Sequence, residues 1–240
     1  MAAGRLLRII STLERVYGVR RRPRAEPLSS LVRAILSQNT SDANAERAFA
    51  ALRQRFPTWR ALASAPTQSI AAAIRPSGLA RIKAARIKGA LAEIMRRRGR
   101  LSLAFLARWP LASARAFLTS IKGVGPKSAA VVLNFAFGKP AFPVDTHIFR
   151  VAKRLALVPQ HFDRIRVQEQ LERAVPDSKK FSFHINLIEH GRTLCTARKP
   201  NCGRCPLYRL CPFGQRLYHG PLNPARRVVS RWPGPGEIVA

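Results

Sequence analysis

A lysine and an aspartate stand close together in a stretch that also contains a glycine-rich turn. Lys127 comes just after Gly123-Val124-Gly125, and Asp145 follows it by 18 residues. A lysine amine can attack a sugar carbon and form a Schiff base, while a carboxylate can stabilise positive charge that develops on a sugar. Each residue also has an ordinary explanation, because a lysine at a helix start is usually solvated and an aspartate there often caps the helix.

A second group of reactive side chains lies near the C-terminus. All four cysteines occur within 17 residues in the spacing C-x6-C-x2-C-x5-C: Cys195, Cys202, Cys205 and Cys211. This clustering favours a metal over disulfides in a cytosolic chain. Zinc usually takes two short-spaced pairs and this spacing has one, so the pattern favours an iron–sulfur cluster and leaves zinc open. The cations between these cysteines could contact phosphates: Arg198, Lys199 and Arg204.

The charge balance indicates a polyanionic partner. The 240 residues include 43 lysines and arginines against 12 aspartates and glutamates, a net charge of +31. No acidic residue occurs between Glu93 and Asp145, which favours a surface that contacts phosphates. A solubilising surface or an arginine-rich genome is the alternative. The hydrophobic fraction of 47% excludes a disordered polyelectrolyte.

Apolar residues recur with helical spacing through most of the chain. Leu6, Ile9, Ile10 and Leu13 form the stripe of a first helix, and Ile82, Ile87, Leu91 and Ile94 mark a later one. Prolines and glycines separate these segments and no alternating strand pair is evident, so we predict an all-α fold. The longest strongly apolar run, 129–137, is far shorter than the roughly 20 residues that span a bilayer. The N-terminus lacks the features of a secretory signal, and we expect a cytoplasmic protein.

The segment 118–129 has the features of a helical hairpin. Gly123 and Gly125 permit a turn whose backbone comes close to another molecule, and Pro126 suits the first turn of the next helix. The N–H groups at such a helix start bind phosphate. A bare G-x-G is weak evidence, because packing turns use it as well.

This hairpin, followed by a Gly/Pro-rich loop and an aspartate, resembles the endonuclease III family of the helix-hairpin-helix DNA glycosylase superfamily. Further similar segments are 36–42, 131–134 and 144–151, and the likeness runs from about Leu6 to Gly214. One departure is Lys122, where the family usually has proline; it leaves the chemistry intact and adds a candidate phosphate contact.

The resemblance implies a function in base excision repair of double-stranded DNA. Lys127 would displace a damaged pyrimidine and cleave the strand through a Schiff base, with Asp145 stabilising the sugar cation. Gln38 would fill the space left by the extruded nucleotide, although a polar residue at a helix end explains it equally well. The hairpin residues Lys122, Gly123, Val124 and Gly125 would contact the DNA backbone. The four cysteines would hold a 4Fe–4S cluster.

The expected architecture is two-lobed. Residues 19–138 form a six-helix bundle, residues 1–18 and 139–214 form the iron–sulfur lobe, and residues 215–240 are a basic, Pro/Gly-rich tail that runs loosely or is disordered. We expect a monomer. Two alternatives are a monofunctional mismatch glycosylase, which Lys127 argues against, and a non-catalytic DNA-binding module, which Asp145 argues against.

Overall fold

The computed structural model describes residues 3–225, and these are helical with connecting loops. No strand occurs within this range, which confirms the all-α prediction. The α-helices are α1 Ala3–Tyr17, α2 Pro27–Leu36, α3 Asp42–Arg55, α4 Trp59–Ser64, α5 Thr67–Ala73, α6 Ala80–Arg98, α7 Leu111–Thr119, α8 Pro126–Phe137, α9 Thr146–Arg154, α10 Arg164–Ala174, α11 Lys180–Thr193 and α12 Pro212–Leu217. Short 3-10 helices are Arg75–Ser77, Ala104–Arg108, Asp177–Lys179, Cys202–Arg204 and Tyr208–Leu210.

Side-chain caps explain where several helices begin. Ser41 accepts the backbone N–H of Asn44 at the start of α3, and Asp145 accepts that of Ile148 at the start of α9. Such caps satisfy N–H groups that have no partner inside the helix. Glycine ends α8: the C-cap residue is Gly138, whose φ of +67° belongs to the left-handed region that favours glycine.

The described residues divide into two compact units. One comprises 23–139, and the other combines 3–22 with 140–225. These divisions fall after Arg22 and Lys139, whereas the sequence predicts boundaries after residues 18 and 138. The two predicted lobes stay a prediction.

The core of the unit 23–139 forms where α2 packs on α8 and α5 packs on α6. Leu31 and Ile35 of α2 and Val132 of α8 are fully buried. The apolar pattern of α6 was partly misleading, because Ile82 is 49% exposed and its neighbour Lys83 is 1% exposed. Lys83 is buried because its amine donates to backbone carbonyls.

In the second unit, α11 packs against both α1 and α9. Ile9 and Leu13 of α1 and Phe183 of α11 are fully buried, as the predicted stripe of the first helix requires. Among residues 3–225, none of the helices is long and apolar enough to cross a membrane.

The segment after α12 is more ordered than the predicted loose tail. The backbone N–H groups of Asn223 and Ala225 donate to the carbonyls of Gly203 and Arg204, each at 2.9 Å. The Tyr208 hydroxyl also donates to the carbonyl of residue 218 at 2.8 Å. Residues 218–225 are therefore bonded to the loop that carries Cys202 and Cys205. The rest of the predicted tail, 226–240, lies outside the described residues.

Candidate catalytic hairpin and cysteine centre

The turn between α7 and α8 has the tight conformation that its glycines permit. Gly123 has a φ of +89°, and the Val124 N–H donates to the Ile121 carbonyl at 3.0 Å. The Val124 side chain is buried and anchors the turn. Gly125 is the N-cap of α8 and contributes no capping side chain. A helix start of this kind suits an anion that approaches the backbone closely.

Two lysines flank this turn. Lys127 is the second residue of α8 and is half-buried, whereas Lys122 is exposed on the turn itself. Lys127 thus lies at the start of a helix, directly after the hairpin turn, and its role as the nucleophile stays a prediction.

Gln38 lies against the hairpin within the same unit. Its Nε2 donates to the Gly123 carbonyl at 3.0 Å and to the Ser128 hydroxyl at 3.5 Å. Its Oε1 accepts a hydrogen bond from Nη1 of Arg86 at 2.5 Å. The side chain predicted to fill a space in the duplex is thus bonded to the protein's own turn, a contact that no local sequence pattern indicates.

Asp145 is held rigidly at the start of α9. It is 5% exposed, and its Oδ1 accepts the Ile148 N–H at 2.7 Å, so it has the capping role that the sequence suggested. His147 beside it hydrogen-bonds through Nδ1 to Nη2 of Arg150 at 3.2 Å. Burial lowers the pKa of His147, although the nearby Asp145 charge opposes the shift.

The four cysteines converge on one pocket in the unit 3–22 with 140–225. Apolar side chains that include Val151, Leu155 and Leu194 form much of the rest of its lining. All four thiols are free of disulfides. Among the described residues, no three potential ligands are close enough together to hold a single metal ion. Four thiolates supplied by a single short loop are a donor set that suits an iron–sulfur cluster.

The surroundings of the cysteines suit thiolates bound to such a cluster. Two sulfurs accept from N–H groups: Cys195 from Nη1 of Arg154 and Cys211 from the Gly214 backbone, each at 3.3 Å. The Cys205 sulfur lies 3.7 Å from Nε2 of His190. Burial raises the pKa of the Cys205 thiol to about 12. A bound metal overcomes such a shift because its charge deprotonates the thiol. The residues present therefore fit an iron–sulfur cluster.

The basic residues between the cysteines lie on the surface. Arg198, Lys199 and Arg204 are all exposed. The Thr196 hydroxyl donates to the carbonyl of Lys199 at 2.7 Å, which closes the loop on which two of these cations stand. Arg198 and Lys199 thus lie exposed on a loop that this hydrogen bond closes.

Comparison with known proteins assigns the family. Residues 32–177 match the HhH-GPD superfamily of base excision DNA repair proteins, and residues 195–211 match the iron–sulfur binding domain of endonuclease III. Endonuclease III of Synechocystis sp. is 38% identical over 190 residues, which is 79% of this chain and 82% of that protein. The chain belongs to the endonuclease III family of this superfamily. Endonuclease III of Escherichia coli K12 is 33% identical over 193 residues, or 80% of this chain and 87% of that protein.

A putative DNA glycosylase of Arabidopsis thaliana is 41% identical over 177 residues. That alignment covers 74% of this chain and 60% of the plant protein. Among solved structures, a trapped endonuclease III–DNA covalent intermediate matches with a TM-score of 0.75 and 27% identity over 90% of this chain and 98% of that one.

The comparisons confirm the helix-hairpin-helix glycosylase fold, the base excision repair glycosylase/lyase class and the 4Fe–4S cofactor. They also support DNA as the partner of this family member.

Proposed function

We propose that this endonuclease III family member removes oxidised pyrimidines from duplex DNA and then cleaves the abasic strand by β-elimination. The observation that carries the proposal is the half-buried Lys127 at the second position of α8, directly after the hairpin turn. A turn that holds the phosphate backbone brings the amine of this residue toward deoxyribose. Attack on C1′ expels the base and forms a Schiff base, which acidifies the C2′ proton and allows elimination of the 3′ phosphate.

In this proposal Asp145 stabilises the cation-like sugar as the base departs. A buried carboxylate is effective here because a weakly screened charge interacts strongly with a developing positive charge. The hydrogen bond from Ile148 fixes one of its oxygens, so no reorganisation of the carboxylate is needed during the reaction.

The four cysteines are the proposed ligands of the cluster. The cluster supplies a rigid cross-link when bound, and the protein's own loop then holds Arg198, Lys199 and Arg204 toward DNA phosphates. Lys122 and the hairpin backbone, from Gly123 to Gly125, contact a second part of the backbone. We also propose that the protein acts on DNA in the cytoplasm as a monomer. Size-exclusion chromatography with and without a damaged duplex tests the monomeric state.

Borohydride trapping tests the chemistry. Incubation with an abasic duplex and borohydride should give a covalent adduct, and Lys127→Ala should abolish it. Lys127→Arg is the matched control, since arginine keeps the positive charge but stays protonated and cannot act as the nucleophile. It should bind the duplex and give no adduct. An adduct with either variant would move the nucleophile elsewhere.

Base release from a panel of duplexes tests the substrate. Oxidised pyrimidines should be released faster than mismatched thymine or adenine. Release of a mismatched base without strand cleavage would instead support a monofunctional glycosylase, and binding without release would support a non-catalytic module.

A further inference from the structure

Two basic side chains on one face of α6 hold polar groups at the end of α2. Lys83 donates from Nζ to the Leu36 carbonyl at 2.5 Å and to the Ser77 carbonyl at 2.7 Å. Arg86, three residues later and therefore on the same face of the helix, donates to Oε1 of Gln38 at 2.5 Å. The C-terminal end of α2 is thus fixed to α6 at two adjacent points.

Gln38 also hydrogen-bonds to the hairpin. Its Nε2 donates to the carbonyl of Gly123, the residue that gives the turn its positive φ, and to the hydroxyl of Ser128. Ser128 is the residue after Lys127 and is buried. One amide side chain therefore binds both sides of the segment that carries the proposed nucleophile.

Arg86 also packs directly on the turn. A Cβ added to Gly123 would lie 2.7 Å from Cδ and 2.8 Å from Cγ of Arg86. Such distances are too short for carbon atoms, so the arginine stem occupies the space that a side chain at position 123 would need. Gly123 is required for its backbone angle and for this close approach.

We propose that Gln38 and Arg86 form a clasp that fixes the hairpin turn and so positions Lys127, and that Gln38 does not fill the space left by an extruded nucleotide. The clasp consists of the hydrogen bonds from Arg86 to Gln38 and from Gln38 to Gly123 and Ser128, together with the packing of Arg86 on Gly123. The inference about Lys127 rests on the proposed function, whereas the effect on backbone binding does not.

The two roles of Gln38 make different predictions for DNA binding. A clasp shapes the turn that holds the phosphate backbone, so its loss weakens binding to damaged and undamaged duplexes by the same factor. A side chain that fills the duplex is used when a nucleotide is extruded, so its loss weakens binding to damaged DNA alone. The two roles also differ in how substitutions of Arg86 and Gln38 combine. In a clasp the two residues act as one unit, so the effects of the two substitutions on DNA affinity are not additive.

A double-mutant cycle tests the clasp. Gln38→Ala, Arg86→Met and the double variant are measured by fluorescence anisotropy against an undamaged duplex and one with a tetrahydrofuran abasic analogue. We expect both single variants to weaken both duplexes equally, and the double variant to be no weaker than the worse single variant, with a coupling of at least about threefold. At saturating abasic DNA, the rate of borohydride adduct formation should also fall, because Lys127 is no longer held in place.

Gln38→Glu separates the clasp from a general effect on folding. Glutamate still accepts from Arg86 but cannot donate to the Gly123 carbonyl, so this variant should bind as weakly as Gln38→Ala while its thermal unfolding stays close to wild type. Arg96→Gln is the charge control, since it removes one positive charge from α6 at an exposed residue that pairs with Glu93. It should reproduce none of these changes.

Additive effects, a loss confined to the abasic duplex, or wild-type behaviour of Gln38→Glu would overturn the clasp. If the wild-type protein forms no adduct with abasic DNA, the proposed lyase chemistry is wrong. The affinities of the Gln38 and Arg86 variants for undamaged DNA then still test whether the clasp exists.

Discussion

Replacing Asp145 separates its two roles. The carboxylate caps α9 through a 2.7 Å hydrogen bond from Ile148 and is 5% exposed. Asparagine caps a helix about as well as aspartate, so Asp145→Asn should change the free energy of unfolding by less than about 0.5 kcal/mol. Alanine cannot cap and leaves a buried N–H without its partner, so Asp145→Ala should cost about 1–2 kcal/mol.

Catalysis should respond differently from stability. Both variants lose the negative charge beside the sugar, and the loss of one well-placed electrostatic group typically slows a reaction by about 10²–10³-fold. We therefore expect base release under single-turnover conditions to fall by this factor in Asp145→Asn as well as in Asp145→Ala. Adduct formation on a duplex that is already abasic should fall less, because no base remains to be expelled.

Two measurements decide the matter. Urea unfolding gives the stability of each variant, and base release from an oxidised-pyrimidine duplex gives the single-turnover rate. If Asp145→Asn releases base at the wild-type rate while Asp145→Ala does not, the aspartate acts as a cap alone and the electrostatic argument is wrong.

Three further outcomes are expected. Burial, with Arg86 as a second cause, lowers the pKa of Lys83 from 10.5 to about 8. Between these two pH values the unfolded chain keeps the Lys83 proton while the folded protein has released it. The free energy of unfolding, measured relative to Lys83→Met, should therefore rise from pH 8 to pH 10.5 by up to about 3 kcal/mol. A difference that stays flat in urea titrations across that range would contradict this. Cys205→Ser should reduce the iron and acid-labile sulfide recovered with the purified protein, and unchanged content would remove Cys205 from the ligand set. The affinity for undamaged DNA should fall steeply with salt, with a slope that corresponds to far fewer phosphates than the net charge of +31, and a salt-independent affinity would refute the electrostatic contacts.

Features set by neighbouring residues could be predicted from the sequence. The positive φ of Gly123, the start of α8 at Pro126 and the capping role of Asp145 all follow from local rules for turns and helix ends. The cysteine spacing likewise indicates one shared site, because the whole motif lies in a single short loop. In each case the deciding contacts join residues only a few positions apart.

The bonds of Gln38 could not be predicted in the same way. They join it to Arg86 and Gly123, which are 48 and 85 residues away in the sequence. Nothing in the local pattern distinguishes a glutamine that binds a turn from one that points into solvent. The burial of Lys83 was missed for a related reason, since its carbonyl partners come from a helix end and a loop that hydrophobic periodicity does not register.

Arginines inside the fold change what the net charge means. Arg154 donates to the carbonyls of Thr196 and Ala197, and Arg150 donates to that of Gly191. Arg5 similarly donates to the carbonyls of residues 155, 156 and 210. Guanidinium groups engaged in this way stabilise loops around the cysteines and add to the positive field without contacting phosphates themselves. The arginine content therefore serves both the internal structure and DNA binding, and the +31 charge is an upper bound on the charge available to the DNA backbone.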